Sequence, residues 1–196
     1  MSDLRPSILT HALPLVPFDG WSDYMLRQAA KRAGASDQEL KRAFPRSVAD
    51  CIDYFFASED EALATAFPQS ALAAKRVPER IETLVMARLE HMASHREAVR
   101  RALAYRALPW NAPGACSSLY RTVDLLWRLA GDNATDFNHY TKRMTLAALY
   151  SSTVVYWLND QSGNMQNTRE FLKRGLAGIA AFGRKKKEFT SKFSVV

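Results

Sequence analysis

Cysteine is scarce: the 196 residues contain two, Cys51 and Cys116, with no Cys-x-x-Cys and no histidine-rich neighbour. That excludes a disulfide framework and a thiolate zinc site, and leaves a reduced protein with two core or half-buried thiols. Long apolar runs are missing as well. None approaches the roughly 20 residues that a membrane-spanning helix needs, so any membrane contact must be peripheral. Residues 1–18 lack a basic segment leading into an uninterrupted apolar one, are broken by Pro6, Pro14 and Pro17, and are not rich in Arg and Ser; neither a signal nor an import sequence is expected there.

The motifs of catalysis are absent too. There is no G-x-S-x-G, no P-loop and no G-x-G-x-x-G. No Glu is followed three residues later by His, which excludes the paired Glu-x-x-His of a di-iron carboxylate bundle. His91 and His95 stand at i, i+4, a spacing that can seat a metal on one helix face. Met92 nevertheless occupies the place of a zincin's Glu, and no further ligand is indicated. They read as solvated helix residues, and no catalytic residue, metal or cofactor is expected.

What the sequence has is helix and positive charge. The formal net charge is +7, but the residues through Ser70 are acidic and the excess of Lys and Arg lies beyond them. Few β-branched runs alternate, and no Asn-Gly or Asp-Gly joins two alternating segments, so strands are not expected. The predicted helices are Arg5–Leu13, one capped by Ser22 that ends at Gly34, one capped by Ser36 that runs to Phe44, and a long one capped by Ser47. From Pro78 to Leu108, Ile81, Leu84, Val85, Leu89 and Met92 repeat on one face, and Ser94 to Glu97 has capping-box spacing that marks a break. Helices from Pro113 to Ala130 and from Thr135 to Leu158 follow, with a last one from Asn167 to Phe182.

The segment from Ser22 to Phe44 has helix-turn-helix layout and, with the residues before it, resembles the N-terminal module of tetracycline-repressor-like regulators. The start of its recognition helix is Asp37, Gln38 and Glu39. Phosphate contacts dominate duplex binding, and carboxylates there have the wrong sign, so no nucleic-acid partner is expected.

The last helix is amphipathic. Phe171, Leu172, Gly175, Leu176, Ile179 and Phe182 project into an arc of about 140°, with Arg169, Glu170, Lys173 and Arg174 outside it. Arg184, Lys185, Lys186 and Lys187 follow. An apolar stripe beside cations suits an anionic membrane interface, where each cation contributes about 1 kcal/mol, enough together for reversible docking. The residues expected to meet the membrane are Phe171, Leu172, Lys173, Leu176, Ile179, Phe182 and Arg184 to Lys187.

One stretch carries a specific resemblance. In "LLWRLAGDNATDFNHYTKRMTLAALYSSTV", Trp127, Gly131, Asp132, Thr135, Asp136, Phe137, Asn138, Tyr140, Thr141, Lys142 and Arg143 fall into the Trp-x-x-x-Gly-Asp and Thr-Asp-Phe-Asn-x-Tyr-Thr-Lys/Arg-Arg pattern of the ubiquinone-biosynthesis accessory protein family. The resemblance implies an all-α, tetracycline-repressor-like fold that no longer represses. It implies a non-enzymatic, lipid-binding homodimer, peripheral to the inner membrane on the cytoplasmic side of a bacterium. Such a protein binds an isoprenoid quinone intermediate or a phospholipid and presents the quinone to the di-iron demethoxyubiquinone hydroxylase. Hydroxylase docking carries over to Asp136, Tyr140 and Arg143, with His139 where animal members are expected to carry Trp, a stronger anchor. The lipid would meet Leu126, Trp127, Leu146, Tyr150, Val154 and Trp157. The expected organisation is a helix-turn-helix-like module over 1–66, a lipid-binding core over 67–164, the membrane helix over 165–183 and an unstructured basic tail over 184–196. The alternative is a ligand-responsive transcriptional regulator of the same fold.

Overall fold

In the computed structural model the described residues are 3–132 and 137–193, with the side chains of 69–70, 137–139 and 182–193 left out. Ten α-helices cover them: α1 (Arg5–Ala12), α2 (Val16–Asp19), α3 (Asp23–Arg32), α4 (Asp37–Ala43), α5 (Val48–Ala66), α6 (Val77–His91), α7 (Arg96–Arg106), α8 (Ala112–Leu129), α9 (Phe137–Asn159) and α10 (Gln166–Phe193). No strand occurs among the described residues. Two compact units form, one from 1–66 and 90–122, the other from 67–89 and 123–196.

In the first unit α1 lies against α3 and α5, and α2 against α3 and α7. Ile8, Met25, Leu26, Cys51, Ile52, Phe55 and Val99 are buried. The Trp21 indole donates to the Ala98 carbonyl (2.9 Å) and Arg101 to the Pro17 carbonyl (2.8 Å), which ties the N-terminal turn to α7. Local signals set the helix ends here. The Ser22 hydroxyl accepts from the Met25 N–H, and Ser36 forms a full capping box with Glu39. Gly34, at φ +73°, turns the chain between them.

Ser47 departs from expectation. Its φ is +54° and its hydroxyl donates to Asp23, while Asp50 reaches back to accept the Arg46 N–H (2.6 Å). A carboxylate in the first turn of α5 therefore takes an N–H from just ahead of the helix, in a position the helix dipole favours. The break at residues 92–95 is present as a 3-10 turn, but His95 precedes α7 without a side-chain cap. His91 and His95 consequently do not share a continuous α-helix. Cys51 is buried, with its thiol pushed up to about 12 by burial and by the Asp50 charge, whereas Cys116 is exposed rather than core.

In the second unit the expected face of α6 is buried at Ile81, Leu84, Val85 and Leu89, and α9 contributes Leu146, Tyr150, Val154 and Trp157. At the turn into α10 the buried Asp160 carboxylate accepts from the N–H and hydroxyl of both Ser162 and Thr168, at 2.6 to 2.9 Å. α10 packs on α9 so closely that a Cβ at Gly175 would collide with Leu149 Cδ1. It runs on to Phe193, past the expected end at Phe182, so the backbone of 184–193 is helical rather than an unstructured tail.

Candidate functional site

The corner between α8 and α9 holds most of the residues that the sequence singled out. α8 closes with the paired return bonds of a Schellman ending: Gly131 N–H to the Arg128 carbonyl and Asp132 N–H to the Trp127 carbonyl, both 3.0 Å. Gly131 sits at φ +86°, where a side chain is strained. Arg80 of α6 completes the ending. Its guanidinium donates to the carbonyls of Ala130 (2.9 Å), Lys75 (2.7 Å) and Ala73 (2.9 Å), and a Cβ at Gly131 would meet its Nη1 at 2.9 Å.

α9 is then fastened to α8 by charge. Arg143 donates through Nε to Asp124 (2.7 Å) and through Nη1 to Asp132 (3.3 Å). Lys142 Nζ takes the other Asp132 oxygen at 2.6 Å and lies over the Trp127 ring, whose indole N–H donates to the Lys142 carbonyl (3.2 Å). Burial disfavours an ionised Asp132, but the hydrogen bonds and charges of Lys142 and Arg143 outweigh it and hold its carboxyl below the ordinary value.

This geometry corrects one expectation. Arg143 is 2% exposed and bridges two carboxylates, so it does not face outward as a docking residue. Tyr140 does, at 62% exposure, and Met144 stands one turn further along the same side at 70%. Asp136 and Thr135 lie outside the described residues, as does the side chain of His139. The sequence reading missed Met144 because an apolar residue in a helix is ordinarily assigned to the core.

The residues expected to meet a lipid are for the most part buried. Leu126, Leu146, Tyr150, Val154 and Trp157 are all buried, and Trp127 is half-buried beside them in sequence. Arg88, 1% exposed, donates to the Tyr150 hydroxyl and sets its cation over that ring at 5.7 Å. The sequence carried a signal for it, since Arg88 falls on the Leu84, Val85 and Leu89 face of α6.

Of the residues expected to meet a membrane, Leu172 is buried, and Phe171 stacks on Tyr156 with ring centroids 4.7 Å apart. Leu172 is therefore core, and its place in the membrane stripe is withdrawn. Lys173 and Arg169 meet Glu82. Leu176 and Ile179 are half-buried, and the side chains of Phe182 and Arg184 to Lys187 lie outside the described residues. No described helix is long and apolar enough to cross a membrane.

In the first unit His91 Nδ1 pairs with buried Glu59 at 2.5 Å and His95 stands edge-on to Phe55. Among the described residues no group of three or more His, Cys, Asp or Glu could hold a metal. A small pocket of about 70 Å³ is lined by Arg46, Asp53, Arg106 and Trp110, among others.

An all-helical chain opening with a helix-turn-helix and continuing into a second helical unit has the tetracycline-repressor-like fold. A solved structure shares it: a TetR transcriptional regulator from Nitrosomonas europaea superposes with a TM-score of 0.74 over 91% of this chain and 99% of that one, at 26% identity. Within that fold the chain belongs to the COQ9 family. The COQ9 family model matches residues 112–183, the segment that contains the α8–α9 corner. The human mitochondrial ubiquinone biosynthesis protein COQ9 is 31% identical over 195 residues, 96% of this chain and 61% of that protein. The Schizosaccharomyces pombe protein is 30% identical over 176 residues, 88% of this chain and 68% of its own length. The chain thus spans about three-fifths of the human, rat and bovine relatives.

Proposed function

We propose that the protein is a non-catalytic accessory protein of ubiquinone biosynthesis. It binds an isoprenoid quinone intermediate or a phospholipid within the second unit and presents the quinone to demethoxyubiquinone hydroxylase at an anionic membrane surface. The observation that carries this reading is the division of labour at the α8–α9 corner. Trp127, Asp132, Lys142 and Arg143 are occupied in holding the corner, while Tyr140 and Met144 are left in water side by side. Exposed tyrosine and methionine are what protein interfaces use as anchors. Asp136 and His139 are assigned to hydroxylase docking by the family pattern alone.

Solvent explains why a carrier is needed. A quinone precursor with a polyisoprenoid tail has negligible solubility in water, and a protein lined by apolar side chains replaces bilayer contacts as the tail leaves the membrane. Leu126, Trp127, Leu146, Tyr150, Val154 and Trp157 supply that lining. The later part of α10, with Leu176, Ile179, Phe182 and Arg184 to Lys187, meets the membrane, and Phe171 and Lys173 flank it. The working form is a homodimer, peripheral to the cytoplasmic membrane of a bacterium, with the helix-turn-helix module of 1–66 retained as scaffold.

Native mass spectrometry of protein purified from its own host is expected to show bound isoprenoid quinone or phospholipid. Deleting the gene is expected to make demethoxyubiquinone accumulate, and normal ubiquinone without accumulation would overturn the proposal. Tyr140→Ala should weaken hydroxylase binding about tenfold with bound lipid retained. A second reading, a ligand-responsive regulator, draws on the likeness to the Nitrosomonas structure. At the start of α4, however, Asp37 stands exposed and Glu39 is folded onto Ser36. Nanomolar binding of a specific duplex at low salt would favour this second reading.

A further inference from the structure

Arg143 spends its guanidinium on two carboxylates from different segments: Asp124 within α8, and Asp132 beyond the Schellman ending. Its neighbour Lys142 holds the second Asp132 oxygen, and the Lys142 carbonyl takes the Trp127 indole N–H. Two consecutive residues of α9 are thus pinned to residues 124–132 by four hydrogen bonds. At about 100° per residue the side chain at 142 leaves α9 about 160° from those at 140 and 144, whereas that at 143 leaves about 60° from Tyr140 and about 100° from Met144. Burial separates these neighbours, with Arg143 and Leu146 inside and Tyr140 and Met144 outside.

We infer that Arg143 is a positioning residue for the Tyr140 docking surface: it fixes the first turns of α9 on α8 and meets no partner itself. The inference rests on the docking role proposed above. A pinned backbone sets the direction in which Tyr140 and Met144 leave the helix, so less freedom is lost when a partner covers them. Lysine is no substitute at 143, since a point charge on a flexible stem cannot serve two carboxylates as a planar fork does.

Two substitutions test this without touching the exposed face: Asp124→Asn, in α8, and Arg143→Lys. Amide hydrogen exchange is expected to quicken about tenfold at residues 137–145 in both, with residues 150–158 unchanged. Affinity for the host's demethoxyubiquinone hydroxylase in detergent micelles should fall about threefold in each, and by less than about twofold when the same change is made in a Tyr140→Ala background. Unchanged exchange at 137–145 would overturn the inference. So would equal losses of affinity in the two backgrounds, which would make Arg143 act independently of Tyr140. Tyr140→Ala with unaltered affinity would instead remove the docking reading, and with it any surface for Arg143 to position, whatever the exchange rates show.

Discussion

The ends of α3 and α8 share one backbone signature and are closed by different means. At each, a glycine with positive φ follows the helix, Gly34 at +73° and Gly131 at +86°, and paired N–H groups return to the last turn. Beyond Gly34 the next helix is capped by a serine and a glutamate three residues apart, a Cβ at the glycine would meet nothing within 4 Å, and α4 buries no residue. Beyond Gly131, Arg80 from α6 and Arg143 from α9 arrive from far along the chain and fill the corner with charge. The first corner is local and solvated, the second non-local and buried. The difference teaches that a turn and the surface it presents are specified separately, the turn by its glycine and the surface by partners many residues away.

The largest expected break of this comparison is Arg143→Met. Two carboxylates lose their shared cation, although Lys142 still holds Asp132 and Arg128 still holds Asp124. A loss of about 3 kcal/mol by urea unfolding is expected, since Asp124 and Asp132 lose their one buried cation and keep only more exposed ones. A loss below about 1 kcal/mol would place the corner in the solvated class with the other.

The turn from α9 to α10 sharpens the contrast, because it is local yet buried. The four hydrogen bonds from Ser162 and Thr168 overcome the opposing effect of burial and draw the Asp160 carboxyl down to about 2. A carboxyl held below its unfolded value contributes stability above that unfolded value, near 4, and loses it as pH falls through about 2. Thermal unfolding should therefore show an acid limb between those values that Asp160→Asn flattens, at a cost of about 2 kcal/mol at neutral pH. An unaltered limb would reassign it to other carboxylates.

Gly131→Ala and Gly34→Ala compare the corners directly. Both impose positive φ on a side chain, at about 1 kcal/mol, but only the first also displaces the Arg80 guanidinium, so about 2 kcal/mol is expected there. Equal costs would show that Arg80 yields freely. The smallest effect belongs to Ser36→Ala, about 1 kcal/mol or less at an exposed capping box.

Legibility in the sequence follows the same line. Ser22, Ser36, Gly34 and Gly131 announced helix ends because caps and return bonds depend on neighbours a few residues away. The apolar spacing on α6 and α9 announced their buried faces. Arg143 was misjudged because its environment is set by Asp124 and Asp132, nineteen and eleven positions earlier, and nothing in its own helix says which way it turns. Ser47 was misjudged because Asp23, in another helix, claims its hydroxyl. The continuation of α10 through Gly183 was missed since one glycine is a weak stop among Arg, Lys and Glu, which favour helix. Of the candidate site, Tyr140 was legible from the family pattern, whereas its exposed companion Met144 required coordinates.

Gly175 has a mechanical meaning. The missing methyl works as a keyway into which Leu149 fits, and a keyed shaft cannot spin: turning α10 about its axis would carry a larger side chain into that space. The heading of its outer face is therefore set by the protein and not by whatever the helix meets.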